Sequence, residues 1–192
     1  MIAIIKYNAG NISSVQNALT RLGYESAITD NETSILAADK VIFPGVGEAS
    51  SAMKYLIEKK LDKTILKIKK PMLGICLGQQ LMCAYSEEGN TKCLGIFDSH
   101  VKKFPNTELV PHMGWNNFSK IEGVLFKGLE RTNNVYFVHS YYAEVNKQTT
   151  AVCDYIKPFS AAMQKDNFYA TQFHPEKSAD IGEKILQNFL DL

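Results

Sequence analysis

The stretch Gly74-Ile75-Cys76-Leu77-Gly78 constrains this chain most. The short apolar run Pro71-Met72-Leu73-Gly74-Ile75 reads as a buried strand, and Gln79-Gln80-Leu81-Met82 reads as the first turns of a helix. A strand that turns into a helix through a single residue places that residue at a strained corner beside a helix N-terminus. Backbone N–H groups and the helix dipole favour an anion there, and a thiol so placed becomes a nucleophile. The arrangement has the geometry of a nucleophile elbow, with Cys76 at its tip. Most free cysteines are small buried hydrophobes, but a core cysteine has no need of a glycine on either side.

The rest of the first half sets this corner in a layered α/β fold. Ile2 to Tyr7 reads as a strand. After Asn8-Ala9-Gly10, the residues Val15, Ala18, Leu19 and Leu22 recur at helical spacing, with Gly23 as the stop. Tyr24 to Thr29 is a second strand, and Val41 to Phe43 a third. The loop Pro44-Gly45-Val46-Gly47 leads from it to a helix through Met53, Leu56 and Ile57. This alternation predicts a mostly parallel central sheet with helices on both faces, and functional groups at the C-terminal ends of its strands. Cys76 and the Pro44–Gly47 loop both fall at that edge.

The second half changes character. Short strands over about 101–171, including 134–140, 150–155, 161–164 and 168–171, predict an antiparallel or mixed extension of the sheet. An amphipathic helix closes the chain, with Ile181, Ile185, Leu186, Phe189 and Leu190 on one face and Ser178 or Asp180 as its cap. Neither repeat nor linker interrupts the 192 residues, so residues 1–192 read as a single domain.

Composition narrows the chemistry by exclusion. A net charge of +1 offers no general reason to expect nucleic acid or a membrane surface as partner. The N-terminus reads as a strand rather than a signal peptide. Four cysteines, Cys76, Cys83, Cys93 and Cys153, lack metal-binding spacing, so reduced thiols, a cytoplasmic location and no metal or cofactor are expected. Cys83 is expected to pack; Cys93, Cys153 and His100 suggest no role.

A thiolate nucleophile needs a base, and the base needs a group to orient it. Among four histidines, His174 is preferred, because Pro175 stiffens its turn and Glu176 lies within reach of the ring. Acyl transfer also needs donors for an oxyanion. The N–H of Leu77 is one candidate, and the Pro44–Gly47 loop is suited to supply a second.

With these residues in view, the chain resembles the class I, or triad-type, glutamine amidotransferases. Gly74 to Gln80 is similar to their nucleophile segment, and Thr171 to Ser178 to their histidine–glutamate segment. Four further segments are similar to one branch of that class, the glutaminase subunits of imidazole glycerol phosphate synthases: Tyr7 to Asn11, Pro44 to Gly47, Pro111 to Asn116 and Tyr136 to Tyr142. The resemblance implies Cys76 as nucleophile, His174 as acid–base and Glu176 as its orienting partner. It implies Val46 and Leu77 as oxyanion donors, with the Pro44–Gly47 strand rearranging before Val46 N–H points inward. It places Gly47, Gln80, His139, Ser140 and Tyr141 around L-glutamine. His112, Trp115, Asn116, Tyr136 and Lys177 would lie near the subunit interface and ammonia gate. The implied reaction is hydrolysis of glutamine through a thioester. The ammonia passes to a (β/α)₈-barrel cyclase partner, in a heterodimer that makes imidazole glycerol phosphate and AICAR in histidine biosynthesis. Two alternatives remain at this point: a paralogue feeding amidation of surface sugars, and a stand-alone cysteine γ-glutamyl hydrolase.

Overall fold

The computed structural model describes residues 1–192. The first half builds β1 (Ile2–Ile5), α1 (Ile12–Arg21), β2 (Ser26–Thr29), α2 (Glu32–Ala37), β3 (Lys40–Phe43), α3 (Ala49–Glu58), α4 (Leu61–Leu66), β4 (Met72–Ile75) and α5 (Leu77–Met82). The second half builds β5 (Tyr85–Ser86), β6 (Thr91–Lys92), β7 (His100–Lys103), β8 (His112–Asn116), β9 (Lys120–Ile121), β10 (Val135–His139), β11 (Tyr141–Ala143), β12 (Thr149–Asp154), β13 (Pro158–Lys165), β14 (Phe168–Thr171) and α6 (Ala179–Leu190).

An eight-stranded sheet runs β2-β1-β3-β4-β14-β13-β12-β9. Its first five strands are mutually parallel, and β13, β12 and β9 continue it antiparallel. Along β1, alternate side chains face opposite ways. Ile2 and Ile4 join α1 and α6 in one core, while Ala3 and Ile5 join α2, α3, α4 and α5 in a second. Both faces of the parallel strands are therefore covered, as the alternation in sequence requires.

The structure revises the sequence reading in three places. Part of the second half leaves the main sheet: β11-β7-β5-β6 and β10-β8 form two small sheets of their own. The short helices α2 and α4 bury only Ile35, and Leu61, Thr64 and Ile65, too few positions to display a helical period in sequence. The Ser178 side chain does not cap α6. Its hydroxyl donates to the His174 carbonyl and accepts from the Tyr136 N–H, which ties the His174 turn to β10 instead.

Candidate active site

Strand β14 decides the site. It enters the sheet parallel to β4 with Thr171 beside Ile75. Both chains thus leave the sheet at the same edge, one residue before Cys76 and three before His174. The Cys76 N–H donates to the Thr171 carbonyl at 2.7 Å, which locks the two exits together. Cys76 itself adopts φ 52°, ψ −106°, a conformation disfavoured for a residue with a β-carbon. The strained corner expected from the sequence is present. Gly78 packs directly on Phe43, where a β-carbon would run into the Phe43 carbonyl, so α5 starts hard against the end of β3.

His174 and Glu176 are both buried, with His174 Nδ1 2.8 Å from Glu176 Oε1. That oxygen also accepts from Asn11 Nδ2. Nδ1 is committed to the carboxylate, so Nε2 is the nitrogen left to act. Nε2 is buried and has no hydrogen-bond partner. Burial disfavours the imidazolium, but the neighbouring Cys76 thiolate outweighs it, helped by Glu176, and holds His174 up at about 10. The sulfur meets the Val138 carbonyl at 4.0 Å and Gln172 Nε2 at 3.5 Å.

Beside the thiol opens a cleft of about 330 Å³. It is lined by Val46, Gly47, Cys76, Leu77, Gln80 and Glu88 from the first half of the chain, and by Pro111, Val138, His139, Ser140 and Tyr141 from the second. All five residues expected to hold glutamine are present. Gln80 Nε2 donates to the Tyr141 carbonyl at 3.0 Å and to Gln172 Oε1 at 2.9 Å.

The two expected oxyanion donors do not converge. Leu77 N–H donates to the Gly45 carbonyl at 3.2 Å. A trans peptide points its N–H opposite to its C=O. With the Gly45 oxygen turned to Leu77, the Val46 N–H of the same peptide is turned away. Tyr7 pins the preceding residue, donating its hydroxyl to the Pro44 carbonyl at 2.6 Å. One peptide unit therefore occupies one donor and averts the other.

A model of the glutamine amidotransferase class-I family matches residues 3–192. The chain belongs to the class I glutamine amidotransferases. This amidotransferase is 60% identical to the imidazole glycerol phosphate synthase subunit HisH of Bacteroides fragilis strain YCH46, with 100% of this chain and 99% of that one covered. It is 46% identical to the protein of the same name from Vibrio parahaemolyticus, covering 100% and 98%. PurLQS from Thermotoga maritima superposes with a TM-score of 0.73 at 16% identity, over 99% of this chain and 97% of that one. A glutamine amidotransferase from Thermotoga maritima gives 0.66 at 19%, over 99% and 82%. These last two speak to the fold alone.

The residues expected near an interface separate into two groups. Trp115 and Tyr136 are cross-strand partners on β8 and β10, with ring centroids 6.0 Å apart. Trp115 is 55% exposed and its strand neighbour Met113 61%. Lys177 is also exposed. His112, in contrast, is buried: its Nδ1 lies 2.9 Å from His139 Nε2, and Asn116 Nδ2 lies 3.3 Å from its Nε2. His139 Nδ1 meets the Tyr141 carbonyl at 2.7 Å. A carbonyl only accepts, so His139 carries its proton on Nδ1, His112 donates from Nδ1, and Asn116 donates to His112. Burial pushes His112 down to about 4 and His139 down to about 3, so both rings are neutral in this chain of bonds.

Four residues of the amidotransferase site escaped the sequence reading. Glu88 is the sole acidic side chain lining the cleft. Asn11, Tyr7 and Gln172 touch Glu176, Pro44 and Cys76 respectively. Asn11, Tyr7 and Gln172 lie inside motifs quoted for the resemblance, but their contacts arise only where strand ends meet. Glu88 sits in an acidic turn in which no spacing separates it from Glu87.

Proposed function

We propose that this chain is the glutaminase subunit of an imidazole glycerol phosphate synthase. It hydrolyses L-glutamine to L-glutamate and ammonia and passes the ammonia to a (β/α)₈-barrel cyclase in a cytoplasmic heterodimer. One domain, residues 1–192, holds the glutaminase site. The observation that carries the reading is the buried His174–Glu176 contact at 2.8 Å, with His174 Nε2 unpartnered beside Cys76. Identity of 60% to a HisH subunit supports this pathway over sugar amidation.

In the mechanism, Cys76 Sγ attacks the side-chain amide carbon of glutamine. A C–S bond forms and the carbonyl electron pair moves onto oxygen. His174 Nε2–H protonates the amide nitrogen, the C–N bond breaks and ammonia departs. A water then gives its proton to Nε2 and its oxygen to the thioester carbon, and sulfur leaves as thiolate. Glu176 holds the imidazole through Nδ1, and Asn11 holds Glu176. Glu88 faces the cleft as the group for the substrate's α-ammonium. Rotation of the Gly45–Val46 peptide releases Leu77 N–H and turns Val46 N–H inward, which completes an oxyanion hole. The free subunit is slow for that reason, and the partner and its ligand favour the rotated state.

Glutamate release is measured with the chain alone, with the cyclase, and with cyclase plus its nucleotide ligand, using Cys76→Ala as blank. Strong stimulation in the liganded complex is expected. Full activity of the isolated chain would overturn the reading in favour of an independent hydrolase.

A further inference from the structure

The mechanism above leaves one buried polar side chain beside the nucleophile without a task. Gln172 lies two residues before His174 and is fully buried. A buried amide is costly unless both its ends are bonded. Both ends are bonded here, and each bond has a direction that can be worked out. The Tyr141 carbonyl only accepts, so Gln80 must turn its NH₂ toward it. The second hydrogen of that NH₂ then meets Gln172 at 2.9 Å, so Gln172 must present its oxygen to Gln80. Its own NH₂ is thereby forced toward Cys76 Sγ, 3.5 Å away. The orientation of the Gln172 amide follows from a backbone carbonyl two bonds distant.

We propose that Gln172 is a catalytic residue that donates its side-chain N–H to the Cys76 thiolate, stabilising the sulfur anion before attack and again when it is expelled from the thioester. The other neighbours of the sulfur explain the need. The Val138 carbonyl faces it with an acceptor, which disfavours an anion. His174 supplies a positive charge from the β14 exit, backed by Glu176. His139 on β10 is neutral, Tyr7 after β1 donates to Pro44, and Glu88, a carboxyl group, lines the same cleft. Gln172 is thus the uncharged donor on the sulfur, and a donor to the charged form favours that form. Its bond is strongest on the free thiolate and weakens as sulfur shares its electron pair with carbon. On hydrolysis the pair returns to sulfur as the C–S bond breaks, and the donor is already in place. The same amide fixes Gln80 at the cleft wall, so one side chain links the substrate pocket to the nucleophile.

This inference rests on Cys76 being the nucleophile, and the experiment separates the two claims. The rate of Cys76 alkylation by iodoacetamide is followed against pH by mass spectrometry of the Cys76 peptide, on the isolated chain without glutamine. Burial holds Cys83, Cys93 and Cys153 far above the working range, with Cys93 and Cys153 at about 12, so Cys76 is the reactive thiol. Gln172→Met should raise the alkylation midpoint by about one pH unit, which is about tenfold less thiolate below the midpoint. Gln80→Met frees the Gln172 amide to turn but leaves its NH₂ available to sulfur, so it should raise the midpoint by less than Gln172→Met does and raise KM for glutamine in the cyclase complex. If Gln172→Met does not fold, Gln172→Asn withdraws the amide by one methylene and carries the same expectation. An unchanged midpoint in a folded Gln172 variant, or equal shifts in the Gln172 and Gln80 variants, would overturn the proposal. Retained glutaminase activity in Cys76→Ala would instead overturn the nucleophile assignment.

Discussion

In the proposed mechanism Cys76 supplies both the nucleophile and the negative charge that raises His174. Removing the thiol takes away the largest effect raising the imidazole. In Cys76→Ala the His174 ring should titrate well below its native value of about 10, as an NMR titration of the imidazole protons would read directly. The same variant should lower glutamate release by about 10⁴-fold or more, in line with the loss of a nucleophile from a triad. A native-like imidazole titration in the variant would show that the charge on His174 comes from elsewhere. At this scale the sequence was informative for Cys76, His174 and Glu176, because backbone constraints mark them: glycines around one, a proline beside another. Nothing comparable marks Glu88 or Gln172. Their importance comes from where a side chain ends, and that depends on strands distant in sequence.

At the level of elements, a close contact between a helix and the backbone holds the catalytic turn. Gly182 of α6 sits against the His174–Lys177 turn, where a β-carbon would run into the Pro175 carbonyl. Gly182→Ala should push α6 off that turn and cost about 2–3 kcal/mol, seen as a lower urea midpoint at unchanged slope. An alanine variant as stable as the parent would mean that the turn yields freely. The β8–β10 pair carries a different liability. His112 and His139 are neutral when folded and have midpoints of about 4 and about 3. Free histidine titrates near 6.5, so the unfolded chain binds more protons between those values and 6.5. Their contribution to stability is therefore complete above pH 6.5 and is lost as pH falls toward 3. Urea midpoints should decline over this range, less steeply in His112→Asn; equal slopes in parent and variant would refute the assignment. The sequence showed the parallel half clearly, since buried parallel strands are continuous apolar runs. It placed 168–171 among strands of the second half, and only pairing revealed that β14 lies parallel against β4. Local pattern names a strand but not its neighbour.

Across the whole molecule, β8 and β10 expose aromatic side chains, and Pro111 and His139 on the same strand pair and its approach line the cleft. Trp115, 55% exposed and braced by Tyr136, has the character of an interface anchor. Trp115→Ala should weaken association with the cyclase by about thirtyfold or more, the threshold of about 2 kcal/mol for such anchors, by calorimetric titration, with the monomer's urea midpoint unmoved. Unaltered affinity would place the docking face elsewhere.

The insertion of β14 beside β4 has a consequence for the chain during its own synthesis. The thiol corner is made early, yet its base arrives on a strand that emerges from the ribosome nearly a hundred residues later, at positions 168–174. Until that strand slots into the middle of the sheet, the cysteine has neither proton acceptor nor counter-charge. Nascent, clipped or half-folded chains are thus chemically silent, and glutamine in the surrounding pool is safe from them.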